Sequence, residues 1–464
     1  MKSIIFRTKQ LVVLTLIVGM TAFTACEVEP LTDPNNPSLE SVTTDASKVD
    51  LQLLVTGLEA RHRGYLTNVV QMFGSFGREV LPYFASDQRF TEDWLGLKRT
   101  TTYPDFFGAG GSYTTPFQAV KQANVLVQAA TDATVLTDLE RKGYSGFAKT
   151  IAGFQMIWPL MQQYQNGIRV DVTNPLNPGP IVGYKEALKA IRQMLDEGNA
   201  DLKTAGTTFA FTLSSGFAGF NTPANMIKLN RAIAARAALY DEDWQGALTA
   251  LNESFLDLNV TAATASKMNV GPTHVYGEAP DVNNPLFYPF DRPTNTILIV
   301  HPDLLEDALP GDLRVTNKFI KRTANPAQYA TLRTANGNLI PGEFQDKRWA
   351  TNITAFPFFR NEELILIYAE AQARVNNVAE STRAINVVRN TWGLPNYAGA
   401  TTTDALIDEI LFQRRYSLWA EGGHRWIDLR RTNRLNATYV DLRDQGNVFT
   451  QVDRPTAETN WDKR

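Results

Sequence analysis

The chain has 464 residues, with 45 Lys+Arg against 48 Asp+Glu and a formal net charge of -3. Hydrophobic residues at 44% and charged residues at 20% exclude disorder over most of the chain, and the absence of a basic excess or stripe argues against a nucleic-acid binder. The single cysteine, Cys26, excludes an intrachain disulfide and a cysteine-based metal site. His62, His274, His301 and His424 are far apart and form no HExxH pattern, so no metal and no cofactor is expected.

Lys2, Arg7 and Lys9 make a basic start, the run from Leu11 to Gly19 is almost purely apolar, and no charge falls between Lys9 and Glu27. The apolar run is short of the roughly 20 residues a bilayer span needs. Residues 1–25 therefore read as a secretory signal. Phe23-Thr24-Ala25-Cys26 resembles a bacterial lipobox, with Phe23 where Leu is more usual. Cys26 is the expected lipidation site and mature N-terminus, against the simpler alternative of a plain signal with a stray cysteine. Cleavage removes three positive charges and no negative one, so attachment to a membrane would run through the lipid rather than a basic patch. Residues 26–48 are rich in Pro, Asn, Ser and Thr and read as a tether. At roughly 3.3 Å per residue it reaches tens of ångströms.

From Val49 onward the apolar spacing is mostly three and four, which predicts helices near 49–66, 115–132, 140–164, 184–204, 225–240, 243–257, 361–376, 379–391 and 404–420. Sustained alternation is scarce, so strands should be few and short. Residues 225–258 are the most regular stretch. A helix rich in small residues (Ala232, Ala234, Ala235, Ala237, Ala238) meets a charged turn at Asp241-Glu242-Asp243. A second helix then places Trp244, Ala247, Leu248, Leu251 and Phe255 on one side. This is a tetratricopeptide-like pair of about 34 residues. Residues 361–391 repeat the design. Neither pair can bury its apolar face alone, so the expectation is all-α, one helical-repeat array over 49–464. Long turn-rich stretches interrupt it at 83–112, 261–296 and 323–359, and loops of that length are more often functional than idle.

Near the C-terminus, Gln413-Arg414-Arg415 is followed by Glu421-Gly422-Gly423-His424-Arg425-Trp426-Ile427-Asp428-Leu429-Arg430-Arg431. Gly422 and Gly423 read as the end of the 404–420 helix. Arg414, Arg415, Glu421, Arg425 and Asp428 read as a paired-charge corner holding that helix end.

The motif resembles the C-terminal signature of the SusD/RagB family of outer-membrane nutrient-binding lipoproteins. It departs from that signature at Gln413 and at Ser417, where the family carries Glu. Arg360–Ala371 (RNEELILIYAEA), Phe117–Asn124 (FQAVKQAN) and Gly311-Asp312-Leu313-Arg314 resemble three further family segments. The resemblance implies a SusD-like array that captures a nutrient, most often an oligosaccharide, outside the cell. It also implies a partner, a SusC-like TonB-dependent transporter in the outer membrane, and no catalysis. Calcium, bound structurally in some members, is not expected here because no EF-hand spacing is present.

Sugars present apolar C–H faces and a rim of hydroxyls, which flat aromatics and Asn, Gln, Asp or Arg can answer. Such residues cluster at Tyr83, Phe84, Asp87, Gln88, Arg89, Phe90, Trp94, Tyr103, Phe106 and Phe107. They cluster again at Asn283, Asn284, Phe287, Tyr288 and Phe290, with Trp349 alone in a third loop. The candidate ligand residues are Tyr83, Arg89, Phe90, Trp94, Tyr103, Phe287, Tyr288 and Trp349. Two other classes remain open at this point: an all-helical glycoside hydrolase, needing two carboxylates about 5–10 Å apart in a cleft, and a helical scaffold that binds only protein. No G-x-S-x-G elbow, phosphate loop or zinc motif is present.

Overall fold

The structure, a computed structural model, describes residues 43–84, 87–90, 92–97, 103–174, 176–291, 296–323, 332–333, 339–340 and 342–463. The signal segment, Cys26 and most of the tether lie outside the described residues. Of the segment read as tether, residues 43–48 are described. Ala46 is buried there, and the Asp45 carboxylate accepts hydrogen bonds from Thr134 N (2.9 Å) and Oγ1 (2.7 Å).

Ten longer helices carry the fold. They are α1 (Lys48–His62), α2 (Thr114–Asp132), α3 (Asp138–Gln163), α4 (Tyr184–Lys203), α5 (Pro223–Asp241), α6 (Trp244–Asn252), α7 (Asn361–Arg374), α8 (Val378–Thr391), α9 (Thr403–Ser417) and α10 (His424–Arg431). Their starts are set locally. Ser47 with Asp50, and Thr137 with Glu140, form reciprocal capping boxes that satisfy the first free N–H groups of α1 and α3. Asp243 caps α6 one residue after Glu242 closes α5 in a left-handed conformation (φ 63°), which makes the turn between them tight. Phe255 lies beyond the end of α6 and packs edge-on against Phe220.

Each helix from α1 to α8 packs on the next in sequence, α9 packs on α7, and α10 packs on α9. The described helices therefore form a continuous stack in which sequence neighbours are packing neighbours. Close approach is possible because the facing surfaces are small. A Cβ at Gly153 of α3 would stand 2.6 Å from the Leu195 side chain of α4. Ala232, Ala234, Ala235, Ala237 and Ala238 of α5 are all buried. The α5–α6 and α7–α8 pairs are joined by a buried bidentate ion pair, Arg236 to Glu363 (2.6 Å on both nitrogens). The Arg236 guanidinium also lies over the Phe359 ring at 4.0 Å.

The long loops build a small antiparallel sheet: β1 (Val80–Phe84), β2 (Thr296–Val300), β3 (Phe319–Lys321) and β4 (Phe344–Asp346), in the order β1-β2-β4-β3. The register pairs Tyr83 with Ile297 and Leu81 with Ile299. The helix predicted to run to residue 66 stops at His62, and a second helical run, 66–76, follows with a π-turn at Val69–Phe73. That run is buried almost all round, so it carries no amphipathic period for sequence reading to find.

The two glycines of the C-terminal motif also do something other than expected. Helix α9 ends at Ser417, and Gly423, in a left-handed conformation (φ 61°), opens α10 instead. A Cβ at Gly423 would lie 2.2 Å from the Cβ of Phe73, so only glycine lets the 66–76 run approach.

Candidate functional site

Successive side chains of a strand point to opposite faces, and β1 uses this to divide the predicted ligand residues into two groups. Tyr83 and Tyr288 pack on one face, on a buried cluster of Leu81, Leu95, Ile297, Ile299 and Ile340. The Tyr288 hydroxyl accepts from Gln71 Nε2 at 3.0 Å, and burial pushes its pKa up to about 12. Both tyrosines are only half-buried.

Phe84, the next residue, joins the other group. Its ring stacks on Phe90 with centroids 4.5 Å apart, and Phe90 meets Phe106 edge-on at 5.1 Å. Tyr103 stacks on Phe106 (5.4 Å) and Phe107 (5.0 Å), and its hydroxyl donates to Asp93 Oδ2 at 2.7 Å. The Arg89 guanidinium lies 4.5 Å from the Phe106 centroid and donates to the Asp87 carboxylate from Nε (2.9 Å) and Nη2 (2.6 Å). Those hydrogen bonds hold the Asp87 carboxyl below its usual range. The Arg89 side chain is 53% exposed, and Phe84, Phe90, Tyr103 and Phe106 are half-buried. The result is a platform of aromatic rings with one solvent-facing cation and a carboxylate at its edge.

Two of the expected ligand residues are corrected. Trp94 is 1% exposed and lies beneath the platform, edge-on to Phe90 at 5.0 Å. Trp349 is 8% exposed and packs on Phe356 (5.2 Å) and under the Arg348 guanidinium (4.8 Å). Neither indole offers a face to a ligand, because apolar burial has already claimed it. Phe287 is half-buried against the main core. Phe84 and Phe106, read in sequence as members of the cluster but not singled out, sit at the centre of the platform. Only the strand register could have separated Phe84 from Tyr83.

The C-terminal charges spread over several helices. Arg414 donates to Asp428 (2.6 Å), but Arg415 reaches Asp303 (2.7 Å) and Asp307 (2.8 Å), and Arg425 donates to the Tyr439 carbonyl (2.7 Å). Glu421 accepts from Arg360 (2.6 Å) and Arg348 (3.0 Å). Arg360 also holds Glu362. Ser417 Oγ donates to Glu362 Oε1 (2.5 Å) and accepts from Arg314 Nη1 (2.9 Å), whose other nitrogens hold Asp312. The segments 311–314, 360–371 and 413–431, distant in sequence, thus share one buried network at the start of α7.

Glu79 is a buried carboxyl near Arg425 and Arg415. Burial pushes its pKa up to about 8 against the pull of Arg425 and Arg415, and neither oxygen has a hydrogen-bond partner among the described residues. It is 1% exposed and out of reach of a substrate.

Residues 324–464 match the sequence profile of the SusD family. That match covers just under a third of the chain, at its C-terminal end. A stretch of 122 residues is 34% identical to SusD-like protein P38 of Formosa agariphila, covering 22% of this chain and 23% of that relative. The SusD fold extends much further. The surface glycan-binding protein A of Bacteroides thetaiotaomicron, solved in complex with laminarihexaose, matches over 89% of this chain and 97% of its own at a TM-score of 0.66 and 16% identity. A SusD superfamily protein of Bacteroides vulgatus matches over 90% and 98% at 0.64 and 15%. Among the described residues, no helix is long and apolar enough to cross a membrane.

Proposed function

We propose that this chain is a SusD-family cell-surface lipoprotein that captures an oligosaccharide on the aromatic platform and passes it to a TonB-dependent transporter of the outer membrane without changing it chemically. The observation that carries the reading is the half-exposed group Phe84, Phe90, Tyr103 and Phe106 topped by Arg89 and Asp87. Aromatic faces suit the C–H surfaces of sugar rings, and a guanidinium beside a carboxylate suits vicinal hydroxyls. A fold relative solved with laminarihexaose supports the same class of ligand. The transporter partner and the outer-membrane location rest on family resemblance, and the lipid anchor on Cys26.

Titration with a panel of oligosaccharides that includes laminarihexaose tests capture. Arg89→Ala is expected to weaken binding of the preferred glycan about tenfold, roughly 1.4 kcal/mol, with the melting temperature near wild type, because the Arg89 side chain is exposed and its salt bridge to Asp87 is a surface one. Undiminished affinity in that variant would move the site elsewhere, and appearance of shorter sugars in the supernatant would move the protein to the hydrolases. Separately, Cys26→Ala is expected to abolish incorporation of labelled fatty acid and shift the protein from the membrane to the soluble fraction. Continued membrane attachment would refute the anchor.

A further inference from the structure

A groove of about 580 Å³ lies across α2, α3 and α4 and shares no lining residue with the aromatic platform. Helix α3, the middle one, gives the floor, which Ala148, Ala152 and Met156 keep low. Val127, Val172 and Met194 stand half-buried around it. A contiguous apolar face of this kind marks an interaction surface.

The rim is polar in a way that suits a polypeptide. Gln128 Nε2 donates to Asp132 (2.5 Å), and Gln193 Nε2 donates to Glu197 (3.1 Å). Neither side-chain oxygen has a donor among the described residues, so each can accept a backbone N–H. An extended chain presents its N–H groups alternately to its two sides, and these glutamines stand on α2 and α4, on either side of the α3 floor. Lys149 is already held by Asp201 (3.0 Å) and Glu197 (3.4 Å), and the Asp171 carboxylate accepts from Thr173 (2.7 Å). Lys121, exposed on the rim, pairs with nothing among the described residues.

The chain itself leads into this groove. Asp45 is fastened to Thr134, just past the C-terminus of α2. Thr43, two residues earlier and the first described residue, already lines the groove. Traced back from Thr134, the chain therefore runs along α2 from Gln128 toward Lys121. Between those two residues the helix rises about 10 Å. Three extended residues cover about the same distance, which brings Glu40 level with Lys121. The residues just before Thr43 are Leu39-Glu40-Ser41-Val42, free of proline and apolar at both ends. From Cys26 to Val42 the acidic residues are Glu27, Glu29, Asp33 and Glu40, with no Lys or Arg among them.

We propose that residues 39–42 strap into this groove, with Leu39 on the α3 floor, Glu40 against Lys121 and backbone N–H groups donating to Gln128 and Gln193. Taken with the Cys26 anchor proposed above, on which this consequence rests, the anchored chain then leaves the fold beside Lys121 and not at the start of α1. The strap so sets which side of the array is turned to the membrane.

The test is amide hydrogen exchange of the full mature chain carrying Cys26→Ala, which makes the outcome independent of the lipid. Residues 39–42 are expected to exchange at least tenfold more slowly than in a free peptide of residues 27–43, while residues 27–29 exchange at the peptide rate. Leu39→Ser and Lys121→Glu should each return residues 39–42 to the peptide rate. Lys121 is exposed and Leu39 precedes the described fold, so both variants keep the core. Combining Lys121→Glu with Glu40→Lys should restore the protection. Exchange of residues 39–42 at the peptide rate in the parent chain would overturn the strap. So would protection that Lys121→Glu leaves intact, which would seat the segment elsewhere, or protection that grows with protein concentration, which would give the groove to a second copy of the chain.

Discussion

Replacing Arg360 with Met is expected to cost about 3–5 kcal/mol of stability near neutral pH, the range for removing one member of a buried ion pair. Arg360 is 3% exposed and is the common partner of Glu421 and Glu362, with a further hydrogen bond to the Ser417 carbonyl. Burial by itself pushes the Glu362 carboxyl up. Arg360, Lys318 and Arg314 together overcome that penalty and hold it at about 2, and Glu421 is likewise held below its ordinary value of 4.5. Carboxyls whose folded pKa is depressed contribute stability that is present above about 4.5 and lost as pH falls toward 2. Without the guanidinium the burial penalty dominates and the sign reverses, so the variant regains stability as the two carboxyls take up protons. The difference in denaturation midpoint between wild type and Arg360→Met should therefore be large at about pH 7 and smaller at about pH 4. A gap that stays constant with pH would assign the loss to packing of the Arg360 side chain and not to its charge.

That network also marks how far the sequence could be read. Its segments were each visible as motifs: the 311–314 turn, the start of the 361–376 helix, and the Arg-Arg and Glu-Gly-Gly runs. Local motifs do not disclose partners, and three of the five C-terminal charges found theirs elsewhere: Arg415 at Asp303 and Asp307, Glu421 at Arg360, Arg425 at a backbone carbonyl. Ser417, read in sequence as a departure from the motif, turns out to link Arg314 to Glu362. All nine predicted helices are present, with ends within five residues of those expected. The 66–76 run was not read from the sequence, being short, interrupted by a π-turn and buried on nearly every side. In the candidate site, residue type picked out the loop that carries the aromatic platform but could not separate its exposed rings from its buried ones. Phe84 and Tyr83 differ only in strand parity, and Trp94 and Leu95, adjacent in the chain, belong to different packing groups.

Trp94→Ala is expected to be the most damaging single change near the platform, at about 3–5 kcal/mol, the usual cost of emptying a large buried aromatic site. From residue type alone, Trp94 belongs with the ligand residues and its loss should spare the melting temperature. Its burial reverses that expectation. The indole supports Phe90 edge-on at 5.0 Å, with Phe106 and Phe107 at 6.3 and 6.4 Å. Removing it lets the upper rings settle into the space, so glycan affinity should fall together with the melting temperature, in contrast to Arg89→Ala, where affinity alone should fall. Trp94→Phe, which restores part of the volume, should recover part of both. If Trp94→Ala instead melted near wild type and lost only glycan binding, the indole would have to face the ligand. The rings assigned here as the binding surface would then be its support.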